Sequence, residues 1–164
     1  MSILSRVIEA LRDALSTSEP VPVPVPAPNA FDEWPPLLLL TGLVWGEARG
    51  EPWEAKLGVA WVVRNRVQRG GWFGDGWIAV MTKRFQFSCF LANDPNSRKI
   101  RNPLKHEPLS VWNECHQAAL RAYRGMGQDP TGGATYFIGT SIIPPPWTKK
   151  LTLTRTIGHF LFYR

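Results

Sequence analysis

The sequence is poor in cysteine, in long apolar runs and in acids. Its 164 residues hold two cysteines, Cys89 and Cys115, too few for a disulfide scaffold and spaced like neither a zinc knuckle nor a CxxC redox pair. They are either free buried thiols or the two halves of one bridge. Apolar runs such as Leu37 to Leu40 are far too short to cross a bilayer, so no stable membrane insertion is expected. No apolar block behind a basic patch opens the chain, and no signal peptide is read there. GxSxG, Walker and GxGxxG patterns are absent, which removes support for a serine hydrolase triad or a nucleotide phosphate cradle. His106, His116 and His159 show no HExxH or related spacing, so neither a metal nor another cofactor is expected.

What the chain does hold is positive charge and aromatic bulk. Nineteen Lys and Arg against thirteen Asp and Glu leave a formal charge of +6, which favours polyanionic surroundings: nucleic acid, anionic lipid or bacterial wall polymers. The charge is scattered, as in Arg64, Arg66 and Arg69 or Lys149 and Lys150, without the cluster of a recognition helix, so nucleic acid is not expected as a partner. Eight tryptophans and eight phenylalanines exceed what a small core needs. Those that do not fill the core suit a cleft in which indoles lie against sugar rings.

Residues 1–18 carry an apolar stripe of Leu4, Val7, Ile8, Leu11 and Leu15 between charges that cancel. This predicts an amphipathic helix that docks on its own domain or on a partner protein. The alternating prolines of "EPVPVPVPAP" make 19–30 an extended linker. A single domain, expected to act as a monomer, then fills 31–164. In it, Pro35 and Pro36 open a helix over Pro36 to Ala48 that stacks Leu40, Val44 and Glu47 on one face. Gly50 ends that helix, and Glu51-Pro52-Trp53-Glu54 reads as the capped start of a second one, running to about Gln68 with Val59, Val62, Val63 and Val67 buried. Asp75 is placed to cap a short helix through Met81, and Phe85 to Glu107 reads as irregular. Trp112, Cys115, Ala119 and Ala122 form the apolar face of a further helix ended by Gly125. "ATYFI" and "TIGHFLFYR" are β-like in composition and able to pair as an antiparallel ribbon. The fold class is α+β, mainly α.

Glu47 and Glu51 are the carboxylates of interest. A carboxyl on the apolar face of a helix has its pKa raised by desolvation, and so keeps a proton that it can donate to a glycosidic oxygen. Alternatively the stripe is shallow at that point and Glu47 pairs with Arg49 or another arginine. For Glu51, helix capping is the simpler role.

"WGEARGEPWEAKLGVAWVVRNRV", followed in order by "FQFSCFLANDPN", "DPTGGATYF" and "PPPW" with the terminal "GHFLFYR", resembles the SleB-type cell wall hydrolases, the spore cortex-lytic family. The likeness covers about residue 37 to residue 164. It implies a lysozyme-like, lytic-transglycosylase-like helical domain whose cleft binds peptidoglycan glycan strands, with Glu47 as the catalytic acid. It further implies cleavage between N-acetylmuramic acid and N-acetylglucosamine that leaves 1,6-anhydro ends. In that chemistry the sugar's own 6-hydroxyl attacks, and one glutamate serves as acid and then base. The rivals are a muramidase that uses water and a second carboxylate such as Glu51 or Asp75, and a noncatalytic wall-binding module.

The same resemblance lines the cleft with Gln86, Phe87 and Ser88, Gln86 being able to hydrogen-bond an N-acetyl group. It makes Tyr136 and Trp147 stacking candidates, and His159 and Tyr163 match the terminal block as further substrate-side residues or as the wall behind the cleft. Spore enzymes of this kind carry a signal peptide and a separate wall-binding domain, and this chain shows neither. A phage endolysin or virion lysin is therefore expected, made in the cytoplasm and acting on the wall after release by a holin or from a particle.

Overall fold

The structure, a computed structural model, describes residues 30–84 and 86–164. The helix expected over 1–18 and nearly all of the 19–30 linker lie outside the described residues.

At the centre is α1, Pro36–Ala48, with Pro36 in its first turn. Leu39, Leu40, Leu43, Val44 and Trp45 are wholly buried, and small residues cover much of the rest, so α1 is enclosed on all sides rather than amphipathic. Each of those large side chains contributes about 1.5–3 kcal/mol by leaving water. Helix α2, Trp53–Arg69, and a two-turn α3, Gly76–Thr82, pack beside it. Val59, Val62 and Val63 of α2 are buried as the periodicity predicts, while Val67 is only half-buried. Asp75 stands at the cap position of α3, but its side chain makes no capping hydrogen bond.

The stretch expected to be irregular between Phe85 and Glu107 is instead partly helical. It holds 3₁₀ turns at Ser88–Phe90 and Pro103–Lys105 around a short α4, Pro95–Ile100. Local chemistry explains α4: Asp94 Oδ1 accepts the Asn96 N–H at 2.7 Å, and Pro95 suits the first turn. The long helix α5, Leu109–Arg124, buries Trp112, Cys115, Ala119 and Ala122 against α1 and α2. It ends at Gly125, whose φ of 68° needs glycine. Arg64 reaches across from α2 to cap it, Nη1 donating to the Ala122 and Tyr123 carbonyls at 3.0 and 3.1 Å.

The sheet corrects one expectation. "TIGHFLFYR" is not one strand: it breaks at Gly158, φ 57°, into the end of β2, Leu153–Ile157, and the whole of β3, Phe160–Tyr163. A two-residue turn with left-handed backbone at its first position is how tightly twisted hairpins close. With β1, Tyr136–Gly139, the sheet has three antiparallel strands in the order β1-β3-β2, and Tyr136 lies opposite Tyr163. Phe162 plugs the sheet onto α2 at Gly58, where a Cβ would stand 2.9 Å from its ring. Asp129 braces the turn before β1: its carboxylate accepts from Thr131 N–H and Oγ1, Gly133 N–H and, from α2, Asn65 Nδ2. Both cysteines are free and buried.

Candidate active site

Glu47 is the penultimate residue of α1, at the point where the Ser88–Phe90 turn crosses the helix. The crossing is possible because residue 46 is glycine: a Cβ there would lie 2.7 Å from both Cys89 Cβ and Ile100 Cδ1. This close approach brings the Cys89 N–H to Glu47 Oε1 at 3.3 Å, and the Cys89 thiol bonds to the same carboxyl. Burial is the main influence on Glu47 and pushes its pKa above the usual carboxylate range. The bonds from Cys89 pull the other way, the negative charge of Asp94 adds to the rise, and the guanidinium of Arg66 opposes it.

The pairing alternative for Glu47 is not realised among the described residues. Arg49 instead donates to Asn96 Oδ1 at 3.0 Å, lies 3.5 Å from Glu107 and stacks over Trp45 at 4.5 Å. Nor does Glu51 cap α2. The cap position is Pro52, and the Glu51 carboxylate turns to the β2–β3 hairpin, accepting the His159 N–H at 3.0 Å with the His159 Nδ1 at 3.1 Å. Proline rather than an acid precedes the first turn, so the glutamate is free to clasp a distant loop.

Two recesses bear on Glu47, although it lines neither. One, of about 300 Å³, is walled by Arg66, Trp72, Gln86, Tyr136, Phe137 and Trp147. Past Trp72 and Tyr136 a further hollow runs on to Arg69, Gly70, Gly71 and Phe73. The other recess, of about 390 Å³, includes Asp94, Arg98, Lys99 and His106. Glu47 is electrostatically coupled to Arg66 in the first wall and to Asp94 in the second.

Arg66, named in the sequence only as one of several scattered positive charges, is a buried cation of the first recess. Only 6% exposed, it donates from Nε to the Thr135 carbonyl at 2.7 Å and from Nη1 to Gln86 Oε1 at 3.0 Å. Its guanidinium lies over Phe87 at 4.7 Å and near Phe73 and Tyr136 at 5.3 and 5.6 Å. Burial lowers its pKa to about 10, against the opposing influence of Tyr136 and then Glu47, so it remains a cation at neutral pH. A signal was present: Arg66 follows Val62 by four residues and Val63 by three, on the buried stripe of α2. Trp72 and Phe137 were also missed, and for Trp72 its glycine-rich loop offers no periodicity to read.

Of the residues expected at the cleft, Gln86, Tyr136 and Trp147 share the first recess, with the two rings 5.3 Å apart. Tyr163 is buried behind it, edge-on to Trp147 at 6.0 Å. Phe87 is buried under Arg66 and offers no open face. Ser88 is exposed at the start of the turn that carries Cys89. His159 lines neither recess and stands on the hairpin turn held by Glu51.

Comparison with known proteins adds a family. The profile described as Cell Wall Hydrolase matches residues 50–163, a span that starts just after Glu47. The spore cortex-lytic enzyme of Halalkalibacterium halodurans is 28% identical over 130 residues, which is 76% of this chain and 33% of that protein. That of Oceanobacillus iheyensis is 26% identical over 126 residues, 76% and 40% of the two chains. The chain thus spans between a third and two-fifths of the length of these curated relatives. Among solved structures, the catalytic domain of the germination-specific lytic transglycosylase SleB from Bacillus anthracis superposes with a TM-score of 0.61 at 24% identity, covering 85% of this chain and all of that one. The catalytic domain of the Bacillus cereus SleB protein gives 0.59 at 23%, covering 90% and 99%. At such identities the likeness establishes the mainly helical fold with its small sheet.

Proposed function

The chain belongs to the cell wall hydrolase family, and on that premise we propose that it degrades peptidoglycan by cleaving the bond between N-acetylmuramic acid and N-acetylglucosamine, with Glu47 as the acid. The observation that carries the reading is the state of Glu47: a partly buried carboxyl with a raised pKa, held by Cys89 beside an aromatic recess. Burial shifts such a group toward holding its proton, which is what a general acid must deliver.

In the proposed reaction the Glu47 O–H protonates the glycosidic oxygen as the anomeric C–O bond breaks. The carboxylate so formed then takes the proton of the sugar's own 6-hydroxyl, whose oxygen bonds to the anomeric carbon and closes a 1,6-anhydro ring. One carboxyl suffices for both transfers. The single-carboxyl route is supported by what the other acids are doing: Glu51 is occupied by His159, Asp75 stands at the start of α3, and Asp94 caps α4. Tyr136 and Trp147 offer the faces against which sugar rings stack.

The place of action we propose is the cell wall, reached from the cytoplasm through a holin or from a virion, in phage-driven lysis. Muropeptide mass spectrometry after digestion of purified peptidoglycan is the test. Anhydro ends support this chemistry, reducing ends replace it with hydrolysis by water, and an absence of soluble fragments removes catalysis altogether.

A further inference from the structure

The larger recess, of about 390 Å³, is chemically unlike the aromatic one. Between Pro95 and His106 the chain holds four Lys and Arg and neither Asp nor Glu. Arg98 and Lys99, in the last turn of α4, bring that charge to the recess wall beside His106. Among the described residues neither Arg98 nor Lys99 forms a salt bridge. Asp94 in the same wall is already engaged, its Oδ1 accepting the Asn96 N–H at 2.7 Å, and Glu107, next to His106, lies 3.5 Å from Arg49. Basic side chains suit the end of a helix, but that does not account for the hollow they border. The recess is fixed relative to the candidate acid by Arg49, in the turn just past Glu47. Its Nη1 donates to Asn96 Oδ1 of α4 at 3.0 Å while its Nε faces Glu107. Ile100 closes α4 onto α1, its Cδ1 standing 2.7 Å from where a Gly46 Cβ would be. One arginine thus ties α4 and the His106 side of the recess to the end of α1 that carries Glu47.

We propose that this recess is a subsite for an anionic peptide hung on the glycan strand, one carboxylate of which pairs with Arg98 and Lys99. In peptidoglycan the muramyl ring bears a lactyl group, and a short peptide with carboxylates of its own is joined to that group by an amide. The substituent sits on the same ring as the bond to be broken, so a site tied to the acid is placed to meet it. The volume of the recess favours the peptide over a bare lactyl carboxylate, which needs far less room. Asn93 in the wall supplies an amide that both donates and accepts, as a peptide backbone requires. The inference rests on the peptidoglycan reading above and goes beyond it by assigning recognition of the peptide, not the sugar, to a second wall of the site.

Binding can be read without sugar or turnover. The free peptide L-alanyl-γ-D-glutamyl-meso-diaminopimelate is titrated by NMR into the intact, nitrogen-15-labelled chain, beside the same peptide with its carboxyls amidated. The anionic form is expected to shift the backbone amides of α4 and to bind about fivefold or more tightly at low salt, an advantage that shrinks as added salt screens it. Arg98→Gln and Lys99→Gln are each expected to remove much of that advantage. Arg98 is exposed and Lys99 half-buried, so both variants should fold, which circular dichroism checks. Turnover then separates the two sources of carboxylate. Initial release rates are compared on intact peptidoglycan and on strands from which an amidase has removed the peptides, leaving free lactyl carboxylates. The ratio of the first rate to the second is expected to fall about fivefold in Arg98→Gln. An unchanged ratio overturns the proposal, and an equal loss on both polymers gives the recess to the lactyl group instead. Equal binding of the two peptide forms, no binding at millimolar concentration, or variants that bind like the parent overturn it as well. If the parent chain releases nothing from either polymer while the free peptide still binds through Arg98, the catalytic reading fails and the subsite stands.

Discussion

Cys89 holds Glu47 by its main chain, the N–H donating to Oε1 at 3.3 Å, and it can do so only because its own Cβ rests where a side chain on residue 46 would be. The candidate acid is thus positioned from a loop on another part of the chain, across a glycine in its own helix. The environment that raises its pKa is assembled by that same crossing.

Glu47→Gln is expected to lower muralytic activity roughly a hundredfold or more by removing proton transfer while making the protein more stable. The folded pKa of Glu47 is raised above its unfolded value. Its contribution to stability is therefore fully present below the unfolded pKa and is lost as pH rises through the folded pKa. Glutamine escapes that loss. Melting temperatures of parent and variant should converge near about pH 4 and separate toward about pH 7, with the variant higher. In the parent, kcat/KM should fall on the basic side as Glu47 loses its proton.

Gly46→Ala should cost about 1–3 kcal/mol from overpacking, because the new methyl meets Cys89 and Ile100 at 2.7 Å. It should reduce activity further than this stability loss explains, by moving the Cys89 N–H off Glu47. Gly50→Ala is the control: nothing lies within 4 Å of its Cβ, and denaturant unfolding should show little change. Equal effects at the two positions would remove the crossing from the account.

Glu51→Gln should leave the chemistry in place. Its carboxylate secures the Gly158–His159 turn, so the expected result is a loss of about 1 kcal/mol in stability and less than a tenfold change in activity. If instead Glu51→Gln abolishes activity while Glu47→Gln retains it, the two glutamates have been assigned in reverse.

Asp129→Ala should destabilise the fold by about 2–4 kcal/mol, since several hydrogen bonds to one carboxylate are lost together and buried donors are left unpaired. Urea unfolding measures it. Asn65→Ala should show a smaller loss and should not add fully to the first, because the two side chains bond to each other at 2.8 Å.

Both thiols should resist modification by a thiol-specific disulfide reagent until the protein unfolds. Cys89 and Cys115 are wholly buried, and burial pushes the Cys115 pKa to about 12 and that of Cys89 well above its ordinary value. Rapid labelling under native conditions would show that the Ser88–Phe90 turn opens readily, and with it the support of Glu47.

Much of this molecule could be read from spacing alone. The limits of α1, the buried valines of α2 and the glycine stop of α5 all follow from periodicity and capping within about twenty consecutive residues. These are local properties, and neighbours in sequence are sufficient to set them. What Glu51 binds, which arginine is buried, how the terminal run folds back and what holds Glu47 were not local questions. Glu51 meets a histidine from the far end of the chain, Arg66 meets a glutamine from beyond α3 and a carbonyl beside β1, and Cys89 reaches Glu47 across Gly46. A charged side chain becomes a buried cation or a raised-pKa acid only when distant segments withdraw water from it, and that withdrawal was decided by tertiary packing.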